Sequence, residues 1–410
     1  MRVLVISQYF WPEPFRINDL VLGLTERGHK VTVLTGIPNY PSGRFYAGYR
    51  LLSPRKEMFE GIPIYRLPIV PKGNGQACRM TLYYLSLALF GSLWCPFCFR
   101  KDIDLVLVFQ PSPITVGVPA LVVRRLNNAP ILLWVQDLWP ETLSATGMVR
   151  SKFMLRCVEK LVRFVYSGCD RILVQSRAFS PGVRRMGVSE AKIFYFPNTA
   201  EDLYKPVQLE SDAPERAHMP KGFRVVFAGN IGRGQDFPTI LSAAERLKQH
   251  QEIHWVILGD GSMRSWVERN VKALGLTETV HLLGKHPVRA MPRYFSLADA
   301  LLVTLKSDPI FALTIPSKIQ SYLACARPVV AALDGEGARI IEESGAGISV
   351  PAGSPEALGK TVLKLSRMSK SDRERMGQLG RKYFEKHFER NRLLDRLDGW
   401  MKEEVNTRGF

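Results

Sequence analysis

The stretch FRVVFAGNIGRGQDF, residues 223–237, places a short apolar run directly before a glycine-containing turn and the start of a helix. A second stretch, IHWVILGDG at residues 253–261, repeats this arrangement after an intervening helical pattern. Apolar runs of this length, separated by helices, predict a parallel sheet that is covered on both faces. Ligands of such sheets bind beyond the carboxyl ends of the strands, which is where both turns lie.

The same alternation runs through both halves of the chain. The strand-like runs outside the opening stretches are MRVLVISQYF, HKVTVLTG, IPIYRLPI, DLVLVFQP, PILLWVQD, DRILVQS, TVHLLG, ADALLVTL, RPVVAAL and AGISV. Between the two series, residues 198–220 carry prolines and acidic residues that are typical of a linker. We therefore predict an α/β fold with two successive Rossmann-like domains, at residues 1–205 and 206–385. A charged helical pattern at residues 386–410 is expected to form a helix that can cross back to the first domain.

Composition and charge limit the possible functions. The 410 residues are 46% hydrophobic and contain no repeat, which excludes a disordered or solenoid protein. The net charge is +18, of which +12 falls in residues 1–205, with 26 basic and 14 acidic residues. Such an excess in one domain favours a surface that meets phosphate or an anionic membrane. A uniformly basic protein is the alternative.

A nucleic-acid-binding protein is less favoured, because no recognisable binding motif is present. The strand-like opening, in place of a secretory signal, predicts a cytoplasmic protein.

Two segments of the first half suggest contact with a membrane. Residues 80–99 form an uncharged run that is long enough to span a bilayer. Because strands of one sheet flank it, interfacial contact is favoured over a buried core helix or a true span. Residues 150–166 form a basic amphipathic pattern, for which an ordinary half-buried helix is an equal alternative.

The glycine turns are candidates for binding a nucleotide diphosphate. Residues 229–232 and 259–261 each follow a predicted strand, and backbone amides at such turns and helix starts favour anions. Either turn alone is compatible with a tight bend. The two together in one domain favour a nucleotide. The histidines and cysteines show no metal-binding spacing.

Over essentially its whole length the chain resembles glycosyltransferase family 4, which has the two-domain GT-B architecture. It is most similar to a bacterial subgroup of fucosamine-transferase-like enzymes of surface-polysaccharide synthesis (O-antigen or capsule). The segments that carry the resemblance are RGHKVTVLTG, FPNTAE, FAGNIGRGQDF, VILGDGSM, VHLLGK, the 34 residues from Thr314 to Gly347, QYFWPEPFR, GIPNYPSGRF and WVQDLWPE.

The resemblance implies two domains that face each other across a cleft, with a UDP-sugar on the second domain and an acceptor on the first. It implies metal-independent transfer with retention at the anomeric carbon and no cofactor beyond the donor substrate. The acceptor would be a lipid-linked (polyprenyl diphosphate) saccharide, and the sugar an N-acetylated amino sugar such as N-acetyl-fucosamine. These expectations place the protein at the cytoplasmic face of the inner membrane, bound peripherally or monotopically to anionic lipid.

The donor side departs from the family pattern at four positions. The family's diphosphate-binding Arg and Lys are replaced by Asn230 and Gln235, and its glutamate pair by Leu313 and Ser321. A leaving diphosphate still needs a cation to stabilise it without a metal. We assign Arg233 and Lys318 to that role and expect both to be exposed, although Lys318 is also compatible with a solvated lysine in the first turn of a helix. The other predicted donor-binding residues are Gly229, Asn230, Gly232, Gln235, Gly259, Asp260, Gly261, Thr314, Pro316, Ser317 and Ser321.

On the acceptor side, Asp137 follows the strand-like run PILLWVQ and is the candidate for activating the acceptor hydroxyl or for stabilising the oxocarbenium-like centre. A cap of the following turn is nearly as good an interpretation. The predicted acceptor-binding residues are Glu13, Arg16, Asn18, Asn39 and Glu141. For Arg16, a surface ion pair with Glu13 is the alternative to binding the acceptor phosphate.

Two further enzyme classes share the architecture. A UDP-sugar 2-epimerase or a hydrolase fits the same sheets and glycine turns. The apolar run and the basic first domain disfavour a purely soluble epimerase.

Overall fold

The computed structural model describes residues 1–51, 56–73, 77–100, 103–145 and 147–408. The chain forms two compact units. Unit 1 comprises Met1–Pro197 and Leu393–Phe410, and unit 2 comprises Asn198–Arg392. Unit 2 is therefore an insertion within unit 1.

The described part of unit 1 contains one eight-stranded sheet in the order β3-β4-β2-β1-β5-β6-β7-β8. All neighbouring strands are parallel except β3 and β4, which pair antiparallel. The strands are β1 (Arg2–Ser7), β2 (Lys30–Gly36), β3 (Lys56–Phe59), β4 (Ile62–Leu67), β5 (Leu105–Gln110), β6 (Ile131–Val135), β7 (Arg171–Val174) and β8 (Ile193–Tyr195).

The described part of unit 2 contains a six-stranded parallel sheet in the order β11-β10-β9-β12-β13-β14. Its strands are β9 (Phe223–Ala228), β10 (Ile253–Leu258), β11 (Val280–Gly284), β12 (Ala300–Thr304), β13 (Val329–Ala332) and β14 (Gly347–Val350). The predicted α/β class with two Rossmann-like parallel sheets is thereby confirmed.

Helices connect the strands in both units, as parallel sheets require. Those between the strands of unit 1 are α1 (Arg16–Glu26), α2 (Ala77–Cys98), α3 (Val118–Asn127), α4 (Glu141–Ala145), α5 (Lys152–Ser167) and α6 (Ser180–Arg185). The helices of unit 2 are α7 (Pro214–His218), α8 (Phe237–Arg246), α9 (Arg264–Ala273), α10 (Met291–Ser296), α11 (Pro309–Ala312), α12 (Ser317–Ala324), α13 (Glu336–Ser344), α14 (Pro355–Arg367) and α15 (Lys370–His387). Helix α16 (Arg390–Thr407) belongs to unit 1 from Leu393 onward.

Helix α16 is part of the core of unit 1. Its buried side chains Leu394, Leu397 and Met401 pack in the same cluster as β1 and α1. Ion pairs add to the contact: His29 Nε2 lies 2.8 Å from Asp398 Oδ1, and Arg171 Nη2 lies 2.7 Å from Glu403 Oε2. The apolar contacts supply most of the stabilisation, because partly exposed ion pairs contribute little.

The segment at residues 198–220 differs from the linker that its composition predicts. It packs within unit 2, where Pro214 begins α7 and the buried Glu215 receives two hydrogen bonds from Arg293, at 2.6 and 2.9 Å. The Tyr204 ring stacks on Phe295 at 6.0 Å between centroids. Pro214 starts a helix here, as a proline at the first helical position commonly does.

Candidate functional site

The two glycine turns of unit 2 lie against each other at the carboxyl ends of β9 and β10. We call residues 229–232 the first glycine turn and residues 259–261 the second. Gly229 N donates to Leu258 O at 2.8 Å, and Ile231 N donates to Asp260 O at 2.8 Å. The turns that the sequence predicts separately therefore form one continuous backbone surface.

Only glycine fits at the contact between the turns. Gly229 and Gly259 have φ angles of +137° and +149°, which L side chains rarely adopt. A Cβ atom on Gly259 would lie 1.8 Å from Gly229 O, and one on Gly261 would lie 2.5 Å from Ile231 O. The close approach packs the backbones of the two turns directly against each other, and the side chains of Asn230 and Lys318 lie against them. Glycine turns of this kind at strand ends are typical of diphosphate cradles.

Lys318 brings a cation to the first glycine turn. It lies in the first turn of α12, and its Nζ donates to the Gln235 side-chain oxygen. The same Nζ lies 3.7 Å from the centroid of the Phe227 ring, and a Cβ on Gly229 would lie 2.8 Å from Lys318 Cε. Burial lowers the pKa of Lys318 to about 7. The side chain is half-buried instead of exposed as predicted, because the aliphatic stem packs between Gly229 and Phe227.

Helix α12 is fixed to the sheet beneath these turns by Tyr322. The buried Tyr322 hydroxyl accepts a hydrogen bond from Ala228 N at 3.1 Å. Because Ala228 directly precedes the first glycine turn, this bond fixes the helix that carries Lys318 relative to the turn.

The remaining donor candidates divide into exposed and internally bonded groups. Asn230, Arg233, Asp260 and Ser317 are exposed, and Pro316 directly precedes α12. The hydroxyls of Thr314 and Ser321 donate to Phe311 O at 2.9 Å and to Ser317 O at 3.4 Å. Ser321 is buried, so its hydroxyl points along its own helix. Donor binding by any of these residues stays a prediction.

In unit 1, Glu13 is buried at the carboxyl end of the first strand. Its Oε1 accepts hydrogen bonds from Asn39 N at 2.8 Å and Tyr40 N at 2.7 Å. Burial raises the pKa of Glu13 to about 7, although those backbone bonds oppose the shift. Glu13 therefore holds the loop after β2. Its buried position differs from the surface position that an ion pair with Arg16 at the surface would give it.

The asparagines predicted for acceptor binding have structural partners. Asn18 Oδ1 accepts from Trp11 N at 3.1 Å, and its Nδ2 donates to Glu13 O at 2.8 Å. Asn39 is buried, with Nδ2 donating to Ile37 O at 2.9 Å. Arg16 begins α1 and is half-buried. These residues shape the loops after β1 and β2, and their contact with an acceptor stays a prediction.

Asp137 follows β6, as predicted, and both of its carboxylate oxygens have donors. Thr142 Oγ1 donates to Oδ1 at 2.5 Å, and Trp139 Nε1 donates to Oδ2 at 3.3 Å. Burial raises the pKa of Asp137 despite these bonds. The hydrogen bonds from Thr142 and Trp139 are those expected of a residue that caps the following turn. The raised pKa is the one expected of a proton acceptor, and the two roles are compatible.

Tyr84 and Ser112 join Asp137 and were missed from the sequence. The Tyr84 ring meets the Trp139 ring edge to face, at 5.5 Å between centroids. Ser112, which follows β5, interacts with the side chains of both Tyr84 and Asp137. Tyr84 lies within the uncharged run. Because most of its neighbours in the sequence are apolar, the sequence does not indicate that its hydroxyl meets polar groups.

Glu141 lies farther along the same connection. Its Oε1 accepts from Arg185 Nη2 at 2.8 Å. It lines an open groove of about 520 Å³ between α4, α5 and α6, together with residues such as Leu155, Arg163 and Met186.

Helix α2 presents an apolar stripe to the outside of unit 1. Its opposite face packs on α3 and the sheet through buried side chains that include Tyr83 and Leu87. By length and composition the helix could cross a membrane, and much of it is not buried within unit 1. The exposed members, at helical spacing and between 50% and 86% exposed, are Leu82, Leu85, Leu89, Leu93 and Phe97; we call these the leucine stripe.

Helix α5 adds exposed cations and apolar groups on the same unit. Phe153 and Phe164 are exposed, and so are Lys152, Arg156 and Lys160. Gly117, just before α3, contacts Val165 of α5, and Pro119 of α3 contacts Gly91 of α2. The amphipathic pattern predicted for residues 150–166 is thus a helix with a largely exposed face.

Among the described residues, no three His, Cys, Asp or Glu side chains are grouped as a metal site would need. Metal independence stays a prediction.

Two family models match consecutive parts of the chain. Residues 15–199 match the glycosyl transferase 4-like domain, and residues 210–383 match glycosyl transferases group 1. The two matches fall on unit 1 and unit 2.

Curated relatives and a solved structure are also similar to this chain. The chain is 30% identical over 238 residues to a probable glycosyltransferase, WbjE of Pseudomonas aeruginosa, covering 56% of this chain and 58% of the relative. It is 23% identical to the putative colanic acid biosynthesis glycosyl transferase WcaI of Escherichia coli K12, covering 79% of this chain and 81% of the relative. The crystal structure of Anabaena Alr3699/HepE in complex with UDP superposes with a TM-score of 0.72 at 14% identity, covering 98% of this chain and 100% of that one. At that identity the superposition shows the fold alone.

Proposed function

This chain belongs to glycosyltransferase family 4 of the GT-B architecture, and on that premise we propose that it transfers a sugar from a UDP-sugar to a lipid-linked saccharide during surface-polysaccharide biosynthesis. The observation that carries the proposal is the position of Lys318 beside the paired glycine turns. This arrangement places the Lys318 cation beside a backbone surface that only glycine residues allow, which suits a diphosphate. WcaI, a relative over most of the chain, is named for colanic acid biosynthesis.

The proposed reaction breaks the bond between the anomeric carbon and the diphosphate oxygen, and the electron pair leaves with UDP. Lys318 and the exposed Arg233 neutralise the charge that develops on the leaving oxygen, in the role that a metal has in other transferases. The acceptor hydroxyl bonds to the anomeric carbon with retention, and its proton leaves to a base. We propose an N-acetylated amino sugar, such as N-acetyl-fucosamine, as the transferred group.

On unit 1 we propose Asp137 as the group that orients the acceptor hydroxyl or accepts its proton. Its raised pKa makes it a better proton acceptor than an exposed aspartate. The Thr142 and Trp139 hydrogen bonds hold the carboxylate in one orientation. Glu13 supports this side indirectly through its bonds to the loop at Asn39 and Tyr40.

We further propose that unit 1 binds the cytoplasmic face of the inner membrane without crossing it. The leucine stripe offers apolar side chains to the acyl region, and the cations of α5 offer attraction to anionic headgroups. A span by α2 would require its other face, with Tyr83 and Leu87, to leave the packed core. Contact through one face leaves that packing intact.

The test of activity uses purified protein, vesicles containing a polyprenyl-diphosphate saccharide, and a panel of UDP-, GDP- and dTDP-sugars. We expect UDP release and a lengthened lipid-linked glycan only when donor and acceptor are both present. UDP release without acceptor would indicate a hydrolase. Conversion of the sugar nucleotide at its C2 position, with no UDP release, would indicate an epimerase. Lengthening of the glycan with GDP- or dTDP-sugars, but not with UDP-sugars, would contradict the assignment of a UDP-sugar as donor.

The test of membrane binding uses flotation with anionic vesicles at low salt. Replacing Leu85, Leu89 and Leu93 with Glu should release the protein, while UDP binding is retained. The matched control is Leu379→Glu, an exposed leucine of unit 2 that should leave flotation unchanged. Wild-type protein that stays in the supernatant would overturn the proposal, and extraction only by detergent would indicate a true span.

A further inference from the structure

Helix α2 connects the leucine stripe to the polar residues at the carboxyl edge of the unit 1 sheet. Leu82 and Leu85 face outward, while Tyr83 is buried and Tyr84, between them and half-buried, turns toward the strand ends. A helix with its side chains is about 10–12 Å across. The outward and inward faces are therefore separated by a distance that a diphosphate and its first sugar can bridge.

The inward end of this helix meets the groups beside Asp137. The Tyr84 ring is held edge to face against the buried Trp139 ring, at 5.5 Å between centroids. Its carbonyl oxygen accepts a hydrogen bond from Thr115 Oγ1 at 2.6 Å, which anchors the backbone to the connection after β5. The ring contact holds the Tyr84 side chain, and the hydrogen bond from Thr115 holds the backbone that carries it.

The Tyr84 hydroxyl lies among polar side chains. Ser112 interacts with it, and the charge of Asp137 acts on it. Ser112 follows β5 and Asp137 follows β6, two strands that pair directly, so both lie at the same edge. Tyr84 therefore places a half-buried hydroxyl at this edge, although its ring alone would be enough to pack the helix onto Trp139.

We propose that Tyr84 is an acceptor-binding residue, whose hydroxyl contacts the first sugar or the diphosphate of a lipid-linked saccharide while the lipid tail follows the leucine stripe. The proposal rests on the proposed function, because it assigns a new contact to the acceptor of that reaction. It explains why one helix carries both an outward stripe and an inward tyrosine. Tyr84 stays protonated throughout and takes part in no proton transfer.

The test is Tyr84→Phe, which keeps the ring against Trp139 and removes only the hydroxyl. We expect the KM for the lipid-linked acceptor to rise about 5- to 20-fold, as loss of one hydrogen bond predicts, with the KM for the UDP-sugar unchanged. The matched control is Tyr65→Phe, since Tyr65 packs on Phe99 just beyond the other end of α2. That variant should change neither constant.

A binding measurement without turnover separates this proposal from the proposed function. Calorimetry with a short-chain, soluble polyprenyl-diphosphate saccharide should show the same weakening in Tyr84→Phe and no change in Tyr65→Phe. Weakened binding in a protein that transfers no sugar would support Tyr84 while contradicting the transferase proposal. Equal affinities of wild type and Tyr84→Phe, absence of wild-type binding, or a parallel rise of both KM values would overturn the assignment of Tyr84.

Discussion

The Lys318 ammonium lies 3.7 Å from the centroid of the Phe227 ring, so the cation of the candidate donor site rests on an aromatic face at the end of β9. The ring attracts the ammonium, but it replaces water that would stabilise the charge better. Lys318 is thereby placed where its charge depends on what binds beside it.

Affinity for UDP should fall as the pH rises above 7. The pKa of Lys318 in the free protein is about 7, well below its ordinary value of 10.5, so the neutral amine predominates at higher pH. UDP binds better to the protein with a protonated Lys318, so binding above pH 7 takes up a proton. The affinity for UDP should therefore fall by up to about tenfold for each pH unit above 7. Calorimetry between pH 7 and 9 measures it. Lys318→Arg, which stays charged, should remove the dependence. A flat wild-type profile over this range would contradict the assignment.

Exchanging Lys318 and Gln235 should restore activity that the single variant loses. Lys318→Gln is expected to cost about 2–4 kcal/mol in kcat/KM, as removal of one oxyanion-stabilising group does, and Arg233→Ala should fall in the same range. Because Lys318 Nζ contacts the Gln235 side chain, Gln235→Lys returns a cation to nearly the same point. We expect the double variant to recover at least tenfold over Lys318→Gln. The exposed Lys221→Gln serves as control. A double variant no better than the single one would show that the position of the charge alone is insufficient.

A methyl group added at the contact between the glycine turns should destabilise the protein far more than one added at a glycine with no neighbouring atoms. Gly259→Ala places a Cβ 1.8 Å from Gly229 O, and we expect loss of UDP binding and destabilisation of unit 2 by more than about 3 kcal/mol. Gly353 also has a positive φ, at +72°, which a side chain tolerates better than the +149° of Gly259, and nothing lies within 4 Å of its Cβ. Gly353→Ala should cost only about 1–2 kcal/mol. Thermal unfolding of both variants, with and without UDP, makes the comparison; equal losses would mean that backbone strain, and not the close approach, is decisive.

Glu13→Gln should change how stability depends on pH. The folded pKa of Glu13 is about 7, above the ordinary 4.5, so the unfolded carboxyl ionises first as pH rises. The free energy of unfolding therefore falls by roughly 3 kcal/mol between pH 4.5 and 7 and stays low above pH 7. Glutamine keeps an oxygen for the Asn39 and Tyr40 amides without this loss. The melting temperature of the variant should rise relative to wild type between pH 5 and 8. Glu190→Gln, at an exposed site, should show no such trend, and parallel profiles for wild type and Glu13→Gln would refute the buried, titrating carboxyl.

The sequence predicted the sheets and the turns well because their signals are local. The apolar run before Gly229 or Gly259 forms the strand, and the glycine begins the turn that follows it. Parallel strands then bring their carboxyl ends to one edge of the sheet. The helices are similarly local: the helical pattern between the two opening stretches corresponds to α8, Phe237–Arg246.

Side-chain surroundings were harder to predict, since they depend on strands that are distant in the sequence. Lys318 was expected in solvent, but Phe227, some ninety positions earlier, partly buries it. Tyr84 was hidden in a run whose apolar composition indicated only lipid or core. Its neighbours Ser112 and Asp137 come from two other connections, and only the pairing of β5 with β6 brings them together.

The return of α16 to unit 1 has a consequence for synthesis on the ribosome. The core that holds β1 and α1 stays incomplete until Leu394, Leu397 and Met401 have been translated, after the whole of unit 2. Unit 2 has all its strands in one continuous segment and can finish folding first. A nascent chain stalled after Pro197 would leave the α16-binding surface of unit 1 uncovered and open to chaperones or aggregation.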